Sequence, residues 1–180
     1  MSDLINTQNK IYPSYSYREF SENEAQVIYY LSRAGSSDYS LVTNTNATGN
    51  LLMLNLVTTI LFKMSPTTIP RIITGDVIFI PALHNSGGDS VGISCKVQLV
   101  SGGTTTDISS AVSSNTATGN AYRFVKIPVT TTKIKKGDYI QISVARTAAD
   151  TTWLGICPRN ITWTGATYTD SKLIVSYKLF

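Results

Sequence analysis

The one histidine of this chain, His84, stands among groups that could do chemistry: Ser86 follows at two residues and Asp89 at five. Histidine beside a hydroxyl and a carboxylate could take the proton of an attacking serine while the carboxylate orients the imidazole. That chemistry needs nucleophile, base and carboxylate held in register. Without such a convergent set, His84 reads as a loop histidine closing the apolar run Phe79 to Leu83. No catalytic residue is assigned, and the chain is expected not to be an enzyme.

The carboxylates Asp76, Asp89, Asp107 and Asp138 could ligate calcium, but calcium loops gather several carboxylates within about a dozen residues. Here each stands singly near a turn, where an Asx bond to the backbone accounts for it. Two cysteines, Cys95 and Cys157, and one histidine do not close a zinc site without added carboxylates. No metal and no cofactor are expected. Cys95 is in phase with Val91, Ile93, Val97 and Leu99 and should be an inert core thiol. The pairs Gly87-Gly88 and Gly102-Gly103 lack the Lys-Ser or Lys-Thr of a phosphate loop and read as hairpin turns. Trp163 and Tyr168, with Asn160, have the types a sugar-binding face uses, stacking plus amide hydrogen bonds. Core or interface packing explains the same aromatics.

These residues need a scaffold, and the composition says which. Ser and Thr make up about a quarter of the 180 residues, and Glu occurs only at 19, 22 and 24. Thr, Ser, Tyr, Val and Ile fill the places where a helical protein would use Ala, Leu, Glu and Lys. The net charge of +4 is scattered. Its densest group, Lys133, Lys135 and Lys136, lies at a turn rather than along a groove, so nucleic-acid binding is not expected. No charged n-region precedes an apolar stretch at the N-terminus, and the run Leu51 to Phe62 is too short and too interrupted to span a bilayer. Synthesis in a host cytoplasm without membrane insertion is the expectation.

One unit appears twice: Ile73-Thr74-Gly75-Asp76-Val77-Ile78-Phe79-Ile80 and Ile134-Lys135-Lys136-Gly137-Asp138-Tyr139-Ile140-Gln141-Ile142. Gly supplies positive φ, Asp bonds its own backbone, and alternating Ile begins a strand. Alternation also predicts strands over 91–100, 121–129, 139–146 and 172–179. Residues 21–34 carry a capping box at Ser21 to Glu24, yet the β-branched and aromatic run from Val27 favours a strand over about 26–33. About eight short strands with turn signals between them predict an all-β, antiparallel two-sheet sandwich. Residues 1–25 form an N-terminal arm carrying Tyr12, Tyr15, Tyr17 and Phe20 around Pro13, and 26–180 a single domain.

The segments Ile134 to Ile142 and Val175-Ser176-Tyr177-Lys178-Leu179 resemble those of jelly-roll sandwiches of the tumour-necrosis-factor and C1q type. In style the whole chain resembles phage capsid-decoration and fibre-head jelly rolls. That resemblance implies a structural virion protein, localised to the particle and acting by assembly. Its partners would be other virion proteins and copies of itself, as a homo-oligomer such as a trimer, with the aromatic arm docked on a neighbour. The alternative is a carbohydrate- or receptor-binding module of a tail or fibre, with Trp163, Tyr168 and Asn160 on a host-surface glycan. A cytokine-like trimeric ligand is less expected.

Overall fold

The computed structural model describes residues 25–34, 38–43, 52–53, 59–85, 91–116, 119–147, 154–156, 161–163, 166–168 and 171–179. Every regular element among them is a β-strand. In chain order these are β1 (Ala25–Ala34), β2 (Asp38–Val42), β3 (Leu52–Met53), β4 (Ile60–Met64), β5 (Arg71–Ile73) and β6 (Asp76–Ile80). There follow β7 (Ala82–Asn85), β8 (Val91–Ser101), β9 (Thr104–Asp107), β10 (Val112–Thr116), β11 (Gly119–Tyr122) and β12 (Val125–Pro128). The last six are β13 (Thr132–Ile134), β14 (Tyr139–Arg146), β15 (Leu154–Ile156), β16 (Ile161–Trp163), β17 (Ala166–Tyr168) and β18 (Lys172–Leu179).

The all-β expectation holds; the simple antiparallel sandwich of eight strands does not. A 12-stranded sheet runs β10-β8-β14-β4-β2-β1-β18-β5-β13, with β6 also on β18, β12 on β6 and β9 on β8. A four-stranded sheet runs β11-β7-β15-β3, and β16 pairs with β17. The large sheet is mixed, because β2 and β4 pair in parallel, Ser40 opposite Lys63 and Leu41 opposite Met64. It also curls. Ser109 and Val129 form a bridge, and the Thr130 amide donates to the Ile108 carbonyl at 2.8 Å, so the β12 end returns to the β8–β9 end. Pro81 divides β6 from β7, and residues 123–124 divide β11 from β12. Each break hands the chain from one sheet to another.

The core lies inside this curl. Phe62, Ile73, Val77, Phe79, Ile142 and Val175 are among its fully buried side chains. β1 shows how the pattern selects a strand: Tyr29 and Leu31 are buried while Ile28 is 43% exposed, a period of two that a helix could not satisfy. β18 is central, paired with β1, β5 and β6, as a strand of its apolar alternation requires. β8 departs from simple alternation. Gln98 is buried out of phase with Cys95 and Val97, and its amide is satisfied there: the Gln141 amide donates to it at 2.8 Å and its own amide donates to Asp107 at 2.6 Å. Asp107 also accepts from Lys96 at 2.8 Å. That bond first, and the Gln98 bond second, hold its carboxyl below the usual range.

The repeated unit forms two adjacent corners, since β13 pairs with β5, Thr132 opposite Ile73 and Ile134 opposite Arg71. Gly75 and Gly137 have φ of 69° and 92°. Asp138 accepts from the Lys135 amide at 3.0 Å, three residues back across the turn rather than two residues ahead as an Asx turn would, while Asp76 pairs with Lys126 at 2.8 Å. A Cβ at residue 137 would meet nothing within 4 Å, so only the backbone conformation demands glycine there. Gly137→Ala should therefore cost about 1 kcal/mol, and Gly137→Asn less, since Asn tolerates positive φ. Urea denaturation checks both.

Candidate functional site

Four segments distant in sequence converge on one cleft. β1 supplies Val27 and Tyr29, β2 supplies Leu41 and Val42, β4 ends in it at Met64, and the segment 65–71 closes it with Thr67, Thr68 and Arg71. Its volume is about 380 Å³. The parallel β2–β4 junction creates the opening, because β4 leaves the sheet at Met64 beside Leu41 and the chain must cross to β5.

The 65–71 rim is fixed. The Thr67 amide donates to the Asp138 carbonyl at 2.8 Å, and the Gly137 amide donates back to the Thr67 carbonyl at 2.9 Å. The Thr67 hydroxyl donates to the Ile69 carbonyl at 2.7 Å. The second Gly-Asp turn thus anchors the mouth of the cleft.

Beneath the rim lies a buried polar group. The Tyr29 and Tyr177 hydroxyls are 3.1 Å apart, and Tyr177 Oη donates to Met64 Sδ at 3.6 Å. The Arg71 guanidinium stands 4.7 Å from the Tyr177 ring centre, a cation–π contact. Burial raises the pKa of both tyrosines above the ordinary value of 10.0, with Arg71 working against the rise. Both hydroxyls stay protonated at neutral pH, and the cleft carries the positive charge of Arg71. No carboxylate is among the residues named for its wall.

A second surface lies on the opposite face of the same strands. Ile28 of β1, Ile174 of β18 and Ile78 of β6 stand in one cross-strand row. All three are at least partly exposed. Lys126 extends the row on β12, and Tyr30, Lys172 and Ile80 form the row beside it. The Lys172 ammonium lies 5.7 Å from the Tyr30 ring centre. The result is an apolar strip with a basic border.

Of the residues singled out from sequence, Trp163 and Tyr168 fall on β16 and β17, two register positions apart: Trp163 opposes Ala166 and Tyr168 opposes Ile161. Asn160 and the arm residues Tyr12, Tyr15, Tyr17 and Phe20 lie outside the described residues, as does Cys157. Cys95 is a free, buried thiol, and burial pushes its pKa up to about 12. His84 is in β7 between β11 and β15, opposite Asn120 and Gly155, rather than in a loop.

Sequence reasoning missed two things. Tyr29 and Tyr177 are in phase with core residues on their strands, and a hydroxyl carried to the apolar face must find a partner; that phase was a usable signal for the cleft floor. The other is Gly88-Asp89-Ser90-Val91-Gly92, which spells the Gly-x-Ser-x-Gly of a nucleophile elbow. In an elbow the serine turns from a strand into a helix. Here Val91 and Gly92 open β8, so a strand follows, and residues 86–90 lie outside the described ones.

No protein-family model matches the sequence, and no curated protein matches it. Solved structures do share its fold. A CocE/NonD family hydrolase from Staphylococcus aureus superposes with TM-score 0.65 at 9% identity, over 86% of this chain and 37% of that one. An aminopeptidase from a marine sediment Thaumarchaeota archaeon gives 0.62 at 10% identity, over 87% and 37%. An alpha-amino acid ester hydrolase gives 0.54 at 14% identity, over 84% and 35%. The chain therefore spans little more than a third of the hydrolases it matches.

These likenesses correct the expectations drawn from the virion resemblance. All three of these structures are hydrolases and none is a capsid, decoration or fibre protein, so the virion role and its tail-fibre, glycan-binding and cytokine-like alternatives are set aside. The motifs behind that resemblance, a Gly-Asp turn before alternating Ile and a closing apolar strand, serve any curled β-sheet. The expectation that the chain is not an enzyme is corrected on the same finding, since the structures that share its fold are hydrolases. At 9–14% identity the likeness is one of fold alone: this chain folds as a stretch of little more than a third of each hydrolase does.

Proposed function

We propose that this chain is the β-module of a hydrolase system, packing against a catalytic unit and shaping what reaches it. The observation that carries this reading is the coverage: nearly all of this chain superposes on about a third of three hydrolases. In such a system the remaining two thirds supplies what this chain lacks, either as a continuation of the same polypeptide or as a separate one. The substrates named for the neighbours, amino-acid esters and aminoacyl groups, are the first to try.

The outer strip supports the same reading. An apolar row at Ile28, Ile174 and Ile78, with Lys172 beside it and Lys126 already paired with Asp76, suits a partner surface with an apolar centre. The curled sheet belongs with this reading as a jelly-roll derivative. Its antiparallel runs β12-β6-β18-β1 and β10-β8-β14-β4 face each other across the core, joined through the parallel seam at β2. Residues 26–180 then act as one unit.

The test is to follow hydrolysis of chromogenic amino-acid esters and aminoacyl anilides with the chain in its native assembly. The Ile28→Asp variant, at a position 43% exposed, should lose at least about tenfold of the associated activity while its melting temperature holds, because a charge buried on docking opposes it. Unchanged activity, or no activity accompanying the wild-type chain, would sink the reading.

A further inference from the structure

The cleft closed by the 65–71 segment has the chemistry of a ligand site, and it lies away from the apolar strip through which the chain is proposed to dock. We infer that this cleft binds a small monocarboxylate with an apolar or aromatic body, its carboxylate on Arg71 and its body on Val27, Leu41 and Met64. The argument is one of charge, donors and shape.

Arg71 is the only ionic group among the residues named for the cleft wall, and a single guanidinium matches a single carboxylate in charge and in its two-pronged donor geometry. A phosphate dianion would call for further cations, and Arg71 is the one cation among the described residues that line this cleft. The cation is held in place by the Tyr177 ring at 4.7 Å, so little freedom is lost when a ligand arrives. Thr67 and Thr68 place hydroxyl-bearing side chains in the rim. The Tyr29–Tyr177 hydroxyl pair forms a neutral floor that leaves the charge of Arg71 uncancelled. The rest of the wall is mixed: Val27, Leu41, Val42, Met64 and Pro66 offer apolar surface for the ligand body, and Thr43 and Ser65 are polar. The anchoring of Thr67 to Gly137 and Asp138 keeps the cleft formed without a ligand.

The inference does not depend on the hydrolase reading. Isothermal titration of the full chain with N-acetyl-L-phenylalanine, with its amide and with inorganic phosphate tests it directly. The acid should bind saturably, the amide about tenfold or more weakly, and phosphate should not compete. Arg71→Met should weaken the acid by a similar factor and leave the amide unchanged. Should Arg71→Met fail to fold, Thr68→Trp serves instead: it fills the mouth from an exposed rim position and should block acid and amide alike. Equal binding of acid and amide, displacement by phosphate, binding that survives Thr68→Trp, or no binding of the acid would each overturn the inference.

Discussion

Phe62→Ala should destabilise the protein by about 3–5 kcal/mol, enough to unfold a marginal domain at physiological temperature. Phe62 is fully buried in β4 and meets the Tyr39 ring at 5.7 Å between centres, tilted by 56°. Tyr39 belongs to β2, so this contact lies across the parallel seam that turns one half of the sheet into the other. Deleting the ring removes apolar area and leaves a void in a place where neither neighbour can collapse without shifting the seam. Phe62→Leu should recover more than half of the loss, because it restores most of the volume. Chemical denaturation of the three proteins measures this. The cleft offers a second readout, since Met64 stands two residues along the same strand: Phe62→Ala should weaken carboxylate binding even where the protein remains folded.

Alkaline pH should destabilise the protein more than acid does. Three buried groups have folded-state pKa values above their ordinary ones: Tyr29 and Tyr177 above 10.0, and Cys95 above 9.0, at about 12, with burial the first cause in each. A raised value means the folded state holds its proton more tightly than the unfolded chain does. The stability this contributes is fully present below the unfolded values and is lost as pH rises through the folded ones. Each group subtracts about 1.4 kcal/mol per pH unit over its window. Thermal melts should be flat up to about pH 8 and fall steeply above about pH 10. Tyr177→Phe removes one titrating group and should make the decline shallower, at the cost of about 1 kcal/mol near neutrality for the lost hydroxyl contacts. An unchanged melting temperature across the alkaline range would show that these hydroxyls are not buried as described.

Much of the architecture was legible in the residues, and the reason is local. Lys172 to Leu179 alternates over a full strand length, and β18 has those bounds. Gly75 and Gly137 announce positive φ by position before Asp, and Gly102-Gly103 turns β8 into β9 with φ of 55° and 83°. The missed strands include β5, β13, β16 and β17, of three residues each, too few for a period of two to register, and β2 (Asp38–Val42) and β10 (Val112–Thr116), whose Asp, Ser, Asn and Thr hide any apolar alternation. The parallel β2–β4 junction was illegible for a different reason: it pairs residues more than twenty apart, and no turn chemistry reports it. The cleft inherits that problem, because Tyr29, Leu41, Met64 and Arg71 meet only through the junction. Arg71 itself, between Pro70 and Ile72, looks like any surface arginine. Function was the least legible, since a fold can be kept at 9–14% identity by burial pattern alone.

The proposed role turns on whether the isoleucine strip packs against a catalytic unit. The most direct measurement places a photo-crosslinking amino acid at position 28, at the β1 end of the exposed row, and maps the adducts formed in the native assembly by mass spectrometry. The account predicts adducts in a hydrolase polypeptide, competing with and suppressed by Ile174→Asp in the same chain. Adducts confined to other copies of this module, or none above those from a control position on β9, would contradict it.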